Sequence, residues 1–117
     1  MKTHEPVYDA TAMTGRLVTL PGWSYHDGWL RREFKTDGWR STILLVNAIA
    51  FVAEAANHHP DLEVRWDSVG VRLQTHSAGG VTDKDLQLAE RIEATAMWHP
   101  TGKFPGLEGQ LSGWITS

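Results

Sequence analysis

Between Glu54 and Asp85 the chain carries most of the side chains able to do chemistry near neutral pH, in the stretch EAANHHPDLEVRWDSVGVRLQTHSAGGVTDKD. Glu54 is the lone charge of the apolar run ILLVNAIAFVAEAAN, and His58 follows four residues later. On a helix that spacing stacks the two on one face, close enough for a carboxylate to fix an imidazole's tautomer and raise its basicity. A carboxylate in such apolar surroundings also costs desolvation unless it is paired, so Glu54 calls for a partner, and His58 is within reach. His59 comes next. Pro60 lacks the N–H a helix needs and disfavours helical geometry in the residue before it, which puts both histidines at or just beyond a helix C-terminus. A third histidine, His76, closes a strand-like run.

Each of these residues has a plainer reading as well. Adjacent histidines at a helix end suit the negative end of the macrodipole. Asp85, three residues after Thr82, is what a helix N-terminus favours, and the cap is the preferred reading. Trp66 fits a core or pocket wall better than a catalyst, and His4, His26 and His99 stand in no partner pattern. Three imidazoles can hold zinc, but adjacent residues such as His58 and His59 rarely aim both rings at one ion. The chain has no GxGxxG, Walker, HExxH or GxSxG signature, so nucleotide, zinc-protease and serine-hydrolase chemistry lack their motifs.

The elements that must position these groups follow from periodicity and turn residues. Trp23 to His26 and Trp29 to Thr36 flank Asp27-Gly28, which tolerates the positive φ of a tight turn, and so predict a β-hairpin. A long helix should begin near Trp39 to Thr42 and run to about Asn57. Its apolar face is wider than one stripe, so it must cover a sheet on one side and something else on the other, a partner subunit being the simplest cover. Val64 and Trp66 share one strand face, whereas Val69, Val71, Leu73 and Thr75 have the opposite parity; a second hairpin turning at Asp67-Ser68 absorbs the change. Ser77 to Gly80 makes a loop. Thr82 to Asp85 is a capping-box-like start to a final helix whose buried face is Leu86, Ala89, Ile92 and Ala96. Ahead of all this, residues 1 to 10 are expected to be poorly ordered and Thr11 to Leu20 to form a short helix closed by Pro21-Gly22. The tail from Met97 to Ser117 has too many Pro and Gly for regular helix. Yet Trp98, Phe104, Leu107, Leu111, Trp114 and Ile115 are too apolar for a free linker, so it should pack against the domain or a neighbour.

A length of 117 residues, 41% hydrophobic and 21% charged, fits one domain with one core at about 20–96 and an irregular tail at 97–117. With no cysteine there is no disulfide framework and no thiolate site, which is compatible with the cytosol. No stretch reads as a membrane span, and the start lacks the apolar core of a signal peptide, so a soluble, cytoplasmic protein without membrane partners is expected. A formal charge of -3, with no basic cluster longer than Arg31-Arg32, argues against nucleic acid.

Glu54, His58-His59-Pro60, Trp66, Thr75-His76, Gly80-Val81-Thr82 and Asp85 together resemble the signature of the pterin-4a-carbinolamine dehydratases. The likeness runs in outline from Gly22-Trp23 to about Ile92, leaving the first twenty residues and the tail after Ala96 outside it. The resemblance implies an α+β fold: a four-stranded antiparallel sheet with helices packed on one face, in the order ββαββα, assembled as a homodimer or a dimer of dimers. It implies dehydration of 4a-hydroxytetrahydropterin to quinonoid dihydropterin, in tetrahydrobiopterin recycling, without a metal or organic cofactor. Loss of water needs an acid for the departing hydroxyl and a base for the nitrogen proton. Histidine suits both near neutral pH, each transfer contributing about 10²- to 10⁴-fold. By the resemblance, His59 and His76 would carry the acid and base steps and His58 would bind and orient the pterin. Glu54 and Thr75 would hold the histidines, and Trp66 and Asp85 would belong to the substrate site. The chain departs from many relatives in having Leu62 where an aromatic is usual, Trp66 where Tyr is common, and Val81 for Leu. Some relatives keep the fold but bind protein, stabilising the dimer of a homeodomain transcription factor or assisting Rubisco assembly in carboxysomes. A non-catalytic binding or assembly role, with a protein partner held through the tail, is therefore the second expectation.

Overall fold

The computed structural model describes residues 6–100, 103–107 and 113–117. The elements are α1 (Ala10–Arg16), a 3-10 turn (Leu17–Thr19), β1 (Trp23–His26), β2 (Trp29–Lys35), α2 (Trp39–Ala56), β3 (Asp61–Arg65), β4 (Ser68–Leu73) and α3 (Asp83–Ala96). The four strands form one antiparallel sheet in the order β1-β2-β4-β3. This is the α+β architecture that the hairpin, helix, hairpin, helix order of the sequence predicts.

Strand parity decides which face is covered. Leu30 and Phe34 of β2 and Val69, Val71 and Leu73 of β4 are buried against Leu45, Ile49 and Val52 of α2 and Leu86, Ala89 and Ile92 of α3. Arg32 shares that inward parity, and its charge is met there. Its guanidinium lies 4.1 Å from the Phe34 ring centroid and makes two bonds to Glu93 of α3, at 3.0 and 3.2 Å. The indole N–H of Trp23 donates to the same carboxylate at 2.8 Å. The opposite face of the sheet carries Ser24, Trp29, Arg31, Glu33, Arg72 and Glu63 and, among the described residues, no helix.

Three details differ from the sequence reading. The second hairpin turns at Trp66-Asp67, because Arg65 pairs with Ser68, so Trp66 leaves the strand and stands 65% exposed. The short N-terminal helix is briefer than predicted, ending at Arg16 before the 3-10 turn. And α2 does reach the length and hydropathy of a bilayer span, the one such helix among the described residues. Leu45, Ile49 and Val52 of that helix lie in the core, while Leu44 and Phe51 are exposed.

The tail is partly placed. Ile115 bridges Thr36, and the backbone of Trp114, Thr116 and Ser117 bonds to that of Lys35 and Asp37 at 2.9 to 3.1 Å. These residues thus extend the sheet beside the end of β2, as predicted for a tail that packs. Trp98 meets Phe104 edge-on at 6.0 Å. Gly102, Gly109 and Leu111 of the predicted tail, and His4 ahead of it, lie outside the described residues.

Candidate active site

Helix α2 ends as it does because Asn57 takes a left-handed conformation, φ 51° and ψ 42°. The Asn57 N–H then returns to the Glu54 carbonyl and the His58 N–H to the Ala53 carbonyl, both at 3.1 Å, the paired bonds of a Schellman motif. Asn tolerates that conformation better than most residues. The motif also breaks the helical period just where the sequence reading relied on it. Glu54 therefore does not reach His58. Its carboxylate is 82% exposed and lies 2.9 Å from Nε2 of His59. The predicted buried acid beside His58 exists, but it is Asp85.

Asp85 is fully buried at the first turn of α3. Its Oδ1 lies 2.6 Å from His58 Nε2. Its Oδ2 accepts the Thr75 hydroxyl at 2.8 Å and the Thr82 backbone N–H at 2.9 Å, the second completing the capping box. The cap reading of Asp85 is correct as far as it goes; the same carboxylate also holds His58, which is only 16% exposed. Thr75 and Thr82 share a further bond at 2.7 Å between their hydroxyls. One carboxylate thus ties the end of α2, the exit of β4 and the start of α3 together, and a buried, fully bonded charge of this kind holds its neighbours firmly.

His76 follows Thr75 in a tight loop closed by the Thr75–Gly80 bridge. The imidazole is exposed and meets the Trp29 indole edge-on at 6.1 Å. Trp29, at the start of β2, thus stands against His76, although the sequence alone makes it an ordinary strand position. Its parity alone could have singled it out, since it puts a large aromatic on the face without helices. The loop is braced from outside. The Tyr8 N–H bonds to the Val81 carbonyl at 2.9 Å, the Tyr8 hydroxyl donates to Asp83 at 2.5 Å, and Arg16 reaches both the Tyr8 oxygen and Asp83. The hydrogen bond from Tyr8, with Arg16 adding to it, holds the Asp83 carboxyl below the usual carboxylate range.

Trp66 does not join this group. Its carbonyl accepts from Thr42 at 3.0 Å near the start of α2 and its ring lies over Gly38. His58 stands past the other end of that helix, about 25 Å away by helix rise. Trp66 therefore stands apart from the histidine group within this subunit. A depression of about 700 Å³, lined by Phe51, Val52, Ala55, Leu88 and Arg91 among others, touches His58 but neither His59 nor His76. Among the described residues no group of three or more His, Asp or Glu could hold a metal ion.

Residues 6–95 match the family model described as pterin 4 alpha carbinolamine dehydratase. That match starts well ahead of Gly22, so the N-terminal helix lies inside the family likeness rather than outside it. A provisionally named pterin-4-alpha-carbinolamine dehydratase of Aquifex aeolicus is 49% identical over 77 residues, 66% of this chain and 78% of its own. One of Mycobacteroides abscessus, named in the same way, is 48% identical over 77 residues, 66% of this chain and 82% of its own. The crystal structure of a transcriptional coactivator/pterin dehydratase from Brucella melitensis superposes with a TM-score of 0.73 at 30% identity, covering 78% of this chain and 99% of that one. A pterin dehydratase-like protein identified as a RuBisCO assembly factor in the alpha-carboxysome shares the fold at TM-score 0.53 and 19% identity, over 63% of this chain and 86% of its own. A match over more than three quarters of the chain, together with identity near one half to the two bacterial relatives, places this chain in the pterin 4 alpha carbinolamine dehydratase family.

Proposed function

We propose that the protein dehydrates 4a-hydroxytetrahydropterin to quinonoid dihydropterin by histidine acid/base catalysis, as a hydro-lyase that recycles a reduced pterin. The observation that carries this is the Asp85 carboxylate, which joins His58 to Thr75 and so brings the neighbour of His76 to the histidine pair from another part of the chain. One exposed imidazole gives a proton to the C4a hydroxyl as it leaves, and the other takes the N5 proton; the C4a–O bond breaks and the C4a–N5 double bond forms. His59 and His76 suit these steps because both rings are exposed and can exchange protons with water. His58 has Nε2 committed to Asp85, so it is suited to orienting the pterin. Glu54 steadies His59, Thr75 and Asp85 steady His58, and Trp29 takes the wall position first assigned to Trp66.

The assay is direct. Purified protein should speed carbinolamine dehydration with a bell-shaped pH profile, and His59→Ala or His76→Ala should lower kcat by 10²-fold or more. A wild-type rate no faster than the uncatalysed reaction would end this reading. A homodimer or dimer of dimers is part of the same proposal, supported by the exposed Leu44 and Phe51 of α2; a sedimentation mass of one subunit would remove it. Residues beyond the family match favour a second role. Met97, Trp98, Phe104 and Leu107 are exposed apolar side chains in a segment suited to holding a protein partner, as an assembly or transcription cofactor would. Pull-downs that recover the same partners from a chain cut after Ala96 would rule that out.

A further inference from the structure

The helix-free face of the sheet has a charge left over. Three acids there each hold a neighbouring cation: Asp61 binds Arg72 at 3.1 Å, Glu33 binds Lys35 at 2.9 Å, and Glu63 binds Arg65. His26 lies 3.3 Å from Asp27 at the hairpin tip. Arg31 remains. Its Nε is shut off from solvent with no hydrogen-bond partner, and its guanidinium makes no ion pair among the described residues. It faces the depression of about 490 Å³ that Ser24, Glu33, Glu63, Gly70 and Arg72 also line.

The register makes this costlier still. Ser24, Arg31, Arg72 and Asp61 stand directly opposite one another across the four strands, in one transverse row. Two guanidiniums side by side on adjacent strands repel, and a buried donor without an acceptor loses its hydration for nothing. Asp61 relieves only the outer one. The row is also continuous with the histidine site. The Arg72 guanidinium carbon lies 4.6 Å from the centroid of the Trp29 indole, the same ring that His76 meets edge-on.

We infer that Arg31, with Arg72 and Ser24, forms an oxyanion subsite that takes the acidic end of the pterin's side chain, so that the preferred substrate carries a carboxylate or phosphate. A single oxyanion supplies what the row lacks. It accepts the paired N–H groups of the Arg31 fork, separates the two like charges and leaves the three existing ion pairs in place. This rests on the pterin reading proposed above.

The test titrates the purified full chain with three stable oxidised pterins: biopterin, whose side chain is uncharged, pteroylglutamate, which carries carboxylates, and 6-hydroxymethylpterin phosphate. At low salt at least one acidic ligand should bind about tenfold more tightly than biopterin. That advantage should shrink at high salt and fall to about unity in Arg31→Gln. Should Arg31→Gln not fold, Arg31→Lys serves instead; it keeps the charge but not the fork and should lose most of the gain. Whichever acidic ligand gains tells carboxylate from phosphate. Equal affinity for all three ligands, or a gain that survives both substitutions, overturns the subsite and leaves the dehydratase reading standing. A chain that binds none of the three loses both.

Discussion

Asp85 performs two duties with one carboxylate, and only one of them is written in the local sequence. Its place three residues after Thr82 announces a capping box, which the structure contains. Its bond to His58 joins positions 27 apart and carries no local signature. The two duties separate by mutation. Thr82→Ala should remove the hydroxyl's cap and its bond to Thr75 while leaving the Asp85–His58 contact, and cost about 1–2 kcal/mol. Asp85→Ala takes the acceptor from both the Thr75 hydroxyl and the buried Thr82 N–H and frees His58, and should cost about 2–4 kcal/mol and depress dehydratase kcat. Urea unfolding and the kinetic assay on both variants check this; equal losses would reduce Asp85 to a cap. Glu54 was misread for the opposite reason. The alanines beside it fit a buried or an exposed helix face equally well, so an apolar run said nothing about which side of α2 meets water.

At the scale of elements, α2 matters chiefly for where it stops. Asn57 reverses the chain so that His58 points toward α3 while His59 turns to Glu54. Asn57→Ala should destabilise by about 1 kcal/mol, since alanine resists the left-handed conformation, whereas Asn57→Gly should be neutral or slightly stabilising. Thermal unfolding of the pair decides it. The brace of Tyr8, Arg16 and Asp83 sets a pH dependence. Asp83 is held below its unfolded value, so its contribution is present above that value and is lost as pH falls through the lower, folded one. The Tyr8 hydroxyl is raised, chiefly by its bond to Asp83, so its contribution is lost only as pH climbs past the raised value. Both groups are near solvent and the effect is correspondingly small. Asp83→Asn should flatten the acid limb of a stability-versus-pH curve; an acid limb as steep as the wild type's would show the brace to be idle.

Across the whole molecule, sequence periodicity anticipated more than composition did. The two hairpins, the long helix and the final helix fall within a residue or two of their predicted bounds, because Asp27-Gly28, Gly38, Pro60 and Thr82 punctuate them unambiguously. What resisted reading is long-range: which acid meets which histidine, where Trp66 ends once the hairpin turns one residue early, and the pairing of Trp29 with His76. The same distance along the chain explains why the tail's destination beside β2 was not foreseeable, although its need to pack was.

That destination bears on how the protein comes apart. The bridge between Thr36 and Ile115 closes a loop of about two thirds of the chain, so its entropy must be surrendered before any contact repays it. It should therefore form after the folding barrier. Ile115→Ala should raise the unfolding rate several-fold and leave the refolding rate almost unchanged in stopped-flow experiments, while a slowed refolding arm would put the tail in the nucleus. A late-forming clasp of this kind makes residues 113–117 a lock on the lifetime of the folded state, with little say in how quickly that state is reached.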